Sequence, residues 1–180
     1  METFTLIWNS LVSLGMIGIG IATLFLLITR FTGVFSYSKI EAYLSSKKLL
    51  IITLLSWIGM IGSLVYSNII GFPPCWLCWL QRIAIYPIAI LGLVGILRNE
   101  ATILPYIRTL AIIGIVIAGY HVFTYYTGLS PLPCDANATC TARYVYEFGF
   151  VTIPFMSLSA FVFLAGALIS AKQALKQRVI

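Results

Sequence analysis

The residues that bear most directly on chemistry are four cysteines, arranged as two pairs. Cys75 and Cys78 form a C-x-x-C within Pro73-Pro74-Cys75-Trp76-Leu77-Cys78. Proline is tolerated in the first turn of a helix, so the double proline suits a helix entry. A thiolate in that turn is favoured by the helix dipole, which lowers its pKa. The thiolate is the species that attacks a disulfide or a quinone. A C-x-x-C at a helix start is therefore what a reactive dithiol needs. The second pair, Cys134 and Cys140, is separated by the five small or polar residues Asp135-Ala136-Asn137-Ala138-Thr139 and preceded by Pro131 and Pro133. This composition predicts an exposed, flexible pair that can close a short disulfide and still admit an attacking thiol. Other chemistries use the same residues. The pairs could be two structural disulfides, or all four cysteines could ligate a structural zinc ion. Zinc clusters usually stabilise small soluble modules, however, and a helical bundle does not need one. Asn137-Ala138-Thr139 also matches a glycosylation sequon, a frequent accidental pattern.

Two polar residues lie close to these cysteines in otherwise apolar runs. Arg82 follows Cys78 by four residues. At about 100° per residue, Cys75, Cys78, Arg82 and Tyr86 share about 80° of one helix face, with Arg82 roughly 6 Å below Cys78. An intramembrane arginine is costly and marks a functional site by default; the plainer alternative is snorkelling to the headgroups. His121 is the only histidine and is expected at a depth similar to that of Arg82. Its plainer role is a hydrogen bond between helices. A quinone accounts for the set. Its carbonyl oxygens gain negative charge on reduction, which Arg82 can stabilise as a fixed cation. His121 can donate a hydrogen bond or relay a proton. Tyr86, Tyr120, Trp76 and Trp79 could pack on the ring, although Trp76 and Trp79 fit an interfacial aromatic belt better. No metal is expected at the site.

The elements that position these residues follow from composition. Of the 180 residues, 61% are hydrophobic and 9% charged, and the mean hydropathy is +1.03. Soluble domains average about 45–50% apolar and about 25% charged residues. Too few charges are present to cover a soluble surface, so the natural solvent is a bilayer. A spanning helix needs about 20 apolar residues. Apolar runs at Leu6–Thr29, Leu49–Ile70, Trp79–Leu97, Ile107–Thr127 and Thr152–Ser170 predict five spans. They are too long for strands, and an open sheet edge is not allowed in lipid. The expected fold is an all-α membrane protein. Three segments are expected: 1–48, a transmembrane helix and cytoplasmic connection; 49–171, a four-helix bundle; and 172–180, a basic cytoplasmic tail.

The formal net charge of +6 does not indicate nucleic-acid binding, because the basic residues are scattered between apolar runs. They report orientation instead. Arg30, Lys39, Lys47, Lys48, Arg98, Arg108, Lys172, Lys176 and Arg178 fall on one side, and Arg143 on the other. The positive-inside rule places the larger set in the cytoplasm. The N-terminus and both cysteine loops are then outside, where disulfides persist, and the C-terminus is inside. The first run is expected to be an anchoring helix rather than a signal peptide, since Met1-Glu2-Thr3 carries no basic residue and the run is too long.

The run Pro74-Cys75-Trp76-Leu77-Cys78-Trp79-Leu80-Gln81-Arg82 resembles the P-C-x-x-C-x-x-x-R signature of the bacterial disulfide bond formation protein family, DsbB. Tyr120-His121-Val122 and the stretch from Tyr144 to Pro154 are similar to its short-loop BdbC-type members. The resemblance covers about 49–170. The order of elements, C-x-x-C before the wider pair, separates it from the vitamin K epoxide reductase family. The resemblance implies four core helices plus one added N-terminal helix, in a bacterial cytoplasmic membrane. It implies that a reduced DsbA-like, thioredoxin-fold thiol oxidase attacks a Cys134–Cys140 disulfide, that Cys140 exchanges with Cys75, and that Cys78, beside Arg82, donates electrons to ubiquinone or menaquinone. Three features depart from the pattern. The wider pair encloses only five residues, Gln81 stands where relatives often carry an acid, and the first span has no counterpart. The competing non-enzymatic expectation is a membrane scaffold or transporter component with two structural disulfides.

Overall fold

The computed structural model describes residues 2–32, 38–100, 102–129 and 140–169. It contains five α-helices: α1 (Glu2–Thr32), α2 (Ser38–Leu64), α3 (Trp76–Arg98), α4 (Leu104–Thr127) and α5 (Ile153–Ile169). A π-helical turn, Val65–Ile69, extends α2. Within α1 to α4, the stretches Glu2–Phe25, Lys47–Ile69, Trp76–Arg98 and Leu104–Thr127 are long and apolar enough to cross a membrane. α5 is shorter; its 17 residues reach about 25 Å at 1.5 Å per residue. The chain is an all-α, multi-pass membrane protein.

α2 begins earlier than the expected Leu49, so much of the basic connection between the first two spans is itself helical. The reason is composition: Ser38 to Lys48 contains no proline or glycine to stop a helix. The expected basic tail, 172–180, lies outside the described residues.

Burial is arranged for lipid. Large apolar side chains such as Leu11, Ile58, Ile83, Leu97 and Val116 face outward, while Ser13, Gln81, Arg82, His121 and Thr124 are buried. In hydrocarbon a polar side chain has no solvent partner, so it turns toward the bundle interior. α2, α3, α4 and α5 pack as successive neighbours, α2 also meets α5, and α1 lies against α5. Ile52, Ile88, Ile107, Phe161 and Leu164 form the centre of the core.

Small residues set the closest approaches. A Cβ at Gly92 would overlap Thr53 of α2, and one at Gly114 would overlap the Phe161 ring of α5. Phe161 is fully buried, at 1% exposure, so its ring has little room to retreat. Gly114→Ala is therefore expected to cost about 1–3 kcal/mol, measured as a lower midpoint of thermal unfolding in detergent. An unchanged midpoint would show that α4 and α5 are not locked at this contact.

The two inter-helix connections that carry cysteine lie at the same end of the bundle. The first leaves the π turn at Gly71, whose φ of +89° suits a residue without Cβ. The second descends from a tight turn in which Phe148 and Gly149 both have positive φ and Phe150 N–H donates to the Glu147 carbonyl at 3.2 Å. Aromatic rings from α1, the π turn and both of these connections form a ladder. Trp8 meets Tyr66 edge-on at 6.5 Å, Tyr66 stacks on Phe72 at 6.1 Å, and Phe72 stacks on Tyr144 at 4.7 Å.

Candidate functional site

Cys75 is the N-cap of α3, with extended backbone (φ −71°, ψ 169°). Its sulfur accepts from the Cys78 N–H at 3.3 Å. The capping position normally belongs to a side-chain oxygen that satisfies an unpaired N–H of the first turn. Here a sulfur takes that role. The spacing of three that defines C-x-x-C is also the spacing from N-cap to N3, which brings Cys78 Sγ to 2.7 Å from Cys75 Sγ. Both are free thiols.

A hydrogen-bonded chain continues from this pair. His121 Nε2 lies 3.7 Å from Cys75 Sγ and 3.2 Å from the Cys140 carbonyl oxygen. Its Nδ1 lies 3.1 Å from Gln81 Nε2. A carbonyl can only accept, so Nε2 carries the proton, and Nδ1 accepts from the Gln81 amide. The Nε2–H then points at both the loop carbonyl and the Cys75 sulfur. This environment pulls the Cys75 pKa down from 9.0 to about 4. The hydrogen bond from Cys78 contributes most; burial opposes the shift, and His121 and the Cys78 N–H add to it. The cysteine at the mouth of the helix is thus the one of the pair whose thiolate form the surroundings favour.

Arg82 is 8% exposed and is turned inward, not snorkelled to the surface. Its Nε donates to Ser63 Oγ at 2.8 Å, and its Nη2 donates to the Ser63 carbonyl at 3.0 Å. The guanidinium also lies 5.1 Å from the Trp79 ring centroid. Ser63 sits just before the α-to-π changeover, and π turns often occur at functional sites. Its carbonyl also accepts from Ser67 Oγ at 3.2 Å.

Cys75, Cys78, Gln81, Arg82, His121 and Cys140 all border one cavity of about 460 Å³. Its other walls are apolar faces of α1, α2 and α5. Tyr86 is not among the lining residues; it packs against the central core beside Ile85 and Ile88. Tyr120 packs against Cys75, Leu77 and Cys140. Trp76 and Trp79 are 56% and 52% exposed, as an interfacial belt requires.

Cys140 is not exposed, as the small polar residues before it predict, but buried against Cys75 and Leu77, because the chain after it is drawn onto the end of α3; it is disulfide-bonded. Cys134 lies outside the described residues. Cys75, Cys78 and His121 place three potential metal-ligand atoms within 4.8 Å of one another. A structural zinc site is almost always four-coordinate; this group supplies three ligands among the described residues.

Sequence reasoning brings Cys75, Cys78, Arg82, His121 and Cys140 together as expected. It misses Gln81 and Ser63 as partners of the histidine and the arginine. For Gln81 the signal is present, since it follows Cys78 by three residues and so shares its helix face. For Ser63 no local pattern exists, because its partner lies 19 positions away.

Residues 45–171 match the family model described as disulfide bond formation protein DsbB. A prophage-derived disulfide bond formation protein B of Bacillus subtilis is 38% identical over 118 residues, 65% of this chain and 80% of the relative. A probable disulfide formation protein C of Halalkalibacterium halodurans is 37% identical over 126 residues, 65% of this chain and 90% of the relative. Disulfide bond formation protein C of B. subtilis is 37% identical over 109 residues, 58% of this chain and 78% of the relative. No solved structure matches the chain.

Proposed function

Because the chain belongs to the DsbB family of disulfide bond formation proteins, an oxidoreductase role follows, and we propose that it reoxidises an extracytoplasmic, DsbA-like thiol oxidase and delivers the electrons to a membrane quinone. The observation that carries this reading is the shared wall of Cys75, Cys78 and Arg82 on an apolar cavity, with the Cys140 loop sealed against it.

The relay divides between the two sides of the dithiol. A reduced partner attacks the outer disulfide, Cys134–Cys140 in this reading, and leaves as a disulfide, so two electrons and two protons stay on the outer pair. Cys140 then attacks oxidised Cys75, and Cys134 resolves the interloop bond. The outer disulfide is restored, and Cys75 and Cys78 are left as a dithiol. Each step is thiolate attack on a disulfide sulfur. His121 serves two of these groups. Its Nε2–H stabilises Cys75 as a thiolate and, through the Cys140 carbonyl, holds the loop that carries the exchanging partner. Gln81 fixes the ring in that tautomer.

The cavity suits a quinone in chemistry. It is mostly apolar, and Cys78 and Arg82 stand together on its wall. When bound, a quinone supplies the two-electron acceptor. Arg82 is held by Ser63 and so offers a fixed positive charge beside Cys78. In this reading the protein sits in a bacterial cytoplasmic membrane with the cysteine loops and N-terminus outside.

The test is absorbance-monitored reduction of ubiquinone and menaquinone analogues by the purified protein, with a reduced DsbA-like protein as donor. Turnover is expected, and Arg82→Met should raise the quinone KM about 10- to 100-fold, the range for a lost charge-assisted hydrogen bond. No turnover with either quinone, while the donor stays reduced, would sink the proposal.

A further inference from the structure

The inner cysteines carry a second chemistry besides thiol exchange. Cys75, Cys78 and His121 each present a metal-ligating atom, and the three atoms lie within 4.8 Å of one another. A zinc ion binds sulfur at about 2.3 Å and histidine nitrogen at about 2.0–2.1 Å, in a tetrahedron. That geometry puts a sulfur and a nitrogen about 3.6 Å apart, and two sulfurs about 3.8 Å apart. Cys75 Sγ and His121 Nε2 stand 3.7 Å apart, so this edge of the tetrahedron is already formed. Cys75 Sγ and Cys78 Sγ are 2.7 Å apart, so one sulfur must swing away by about 1 Å. Cys78 borders the cavity, which gives it room.

The neighbours of these ligands suit a metal as well as a proton. A ligating histidine commonly anchors its second nitrogen on a hydrogen-bond partner. His121 Nδ1 lies 3.1 Å from the Gln81 side-chain amide. An amide offers both an acceptor and donors. When a metal takes Nε2, the ring proton moves to Nδ1, and Gln81 turns its oxygen to accept from it. The Cys140 carbonyl oxygen, 3.2 Å from Nε2, flanks the remaining position, so the fourth ligand is that oxygen or a water. Thiolate and imidazole together select zinc over magnesium and calcium, which seek oxygen. Three side-chain ligands are too few for a structural zinc site and match sites that keep one position open.

We propose that the reduced Cys75–Cys78 dithiol and His121 bind one zinc ion, which locks the inner pair in its reduced state. Both sulfurs ligate as thiolates, and any thiol proton they carry leaves to solvent. Zinc undergoes no redox change, so no electron moves. A Cys75–Cys78 disulfide has no thiolate to offer, and the oxidised pair does not bind. Once both sulfurs are held by zinc, neither can pass electrons on. The site is then a metal-sensitive brake set by redox state. Binding rests on the cluster alone; the brake rests on the quinone reading above.

The experiment uses the untagged full chain in detergent, in which His121 is the only histidine. The Cys134→Ser/Cys140→Ser double variant removes the outer thiols, which would take up metal themselves when reduced. Reduced and oxidised samples are dialysed against buffered free zinc, and bound metal is counted by mass spectrometry. One zinc per reduced chain is expected, and none on the oxidised chain. X-ray absorption at the zinc edge should show two sulfurs and an imidazole. Gln81→Leu should weaken binding about 10- to 100-fold, as for other partners of ligating histidines, and His121→Ala by more than that. If a variant fails to fold, the wild-type absorption spectrum still decides, because only the inner site supplies imidazole. Equal uptake in both redox states, no uptake, or a zinc shell without imidazole overturns the site. The brake is read by mixing the pre-reduced double variant with quinone: about one equivalent should be reduced, none with zinc bound, and a chelator should restore the reaction. Quinone reduction that zinc leaves unchanged overturns the brake. A protein that reduces no quinone even without zinc overturns the brake together with the preceding reading, while metal uptake still decides the site.

Discussion

Cys78→Ser should halt turnover while leaving the first exchange intact. Steady-state quinone reduction is expected to fall by more than about 10³-fold, because members of a catalytic unit fail together. The outer disulfide does not include Cys78, so a reduced partner can still attack it. Oxidation of the partner should therefore run to about one equivalent per enzyme and stop. Quantifying partner disulfide by alkylation and mass spectrometry tests this. Continued oxidation beyond that equivalent would mean that electrons leave the outer pair without passing through the Cys75–Cys78 dithiol. Oxidation that never begins would mean that the outer pair is not the entry point.

The second large effect is in pH dependence. Below its pKa near 8.5, an ordinary thiol gains about tenfold in thiolate for each unit that pH rises, and its alkylation rate rises accordingly. With Cys75 pulled down to about 4, its thiolate fraction is essentially complete from pH 5.5 to 8. Iodoacetamide should label Cys75 in the reduced protein at a nearly constant rate over that range. His121→Ala removes one contributor, and a pH slope should partly return. The linkage has a definite sign. A depressed pKa stabilises the fold fully above the unfolded value of 9.0 and progressively less as pH falls toward about 4. Below about pH 4 the Cys75 contribution is gone. A steep tenfold-per-unit rise in labelling for the wild type would contradict the N-cap thiolate.

How much of this was legible in the sequence differs by element. The spans were readable because hydrocarbon imposes length and polarity together: a run such as Ile107–Thr127 has few other places to go. The shared end of the two cysteine loops was readable from lysine and arginine alone. The face shared by Cys75, Cys78 and Arg82 followed from helical spacing. Tyr86 shows where that spacing stops being informative. It lies on nearly the same face, yet by that depth the face meets the packed core, so it packs with the core around Ile88 instead of lining the cavity. Periodicity gives direction around an axis, not what stands opposite. The same limit hid Ser63 and the place of α1 in the cavity wall. Both depend on which helices become neighbours, and α1 packing on α5 joins segments more than a hundred residues apart.

The N-cap position of Cys75 also sets an energy slope. A disulfide whose reduced form is stabilised as a thiolate is easier to reduce and is therefore a stronger oxidant. Each favourable contact on the sulfur, from Cys78 and from His121, thus raises the reduction potential of the inner pair relative to an unperturbed one. In the proposed relay this favours electron transfer from the outer pair to the inner one. The same contacts make the dithiol a poorer donor, so its own acceptor must lie at a higher potential still. If the proposed relay operates, sulfur capping a helix biases it in one direction, from the aqueous thiols toward the lipid-dissolved oxidant.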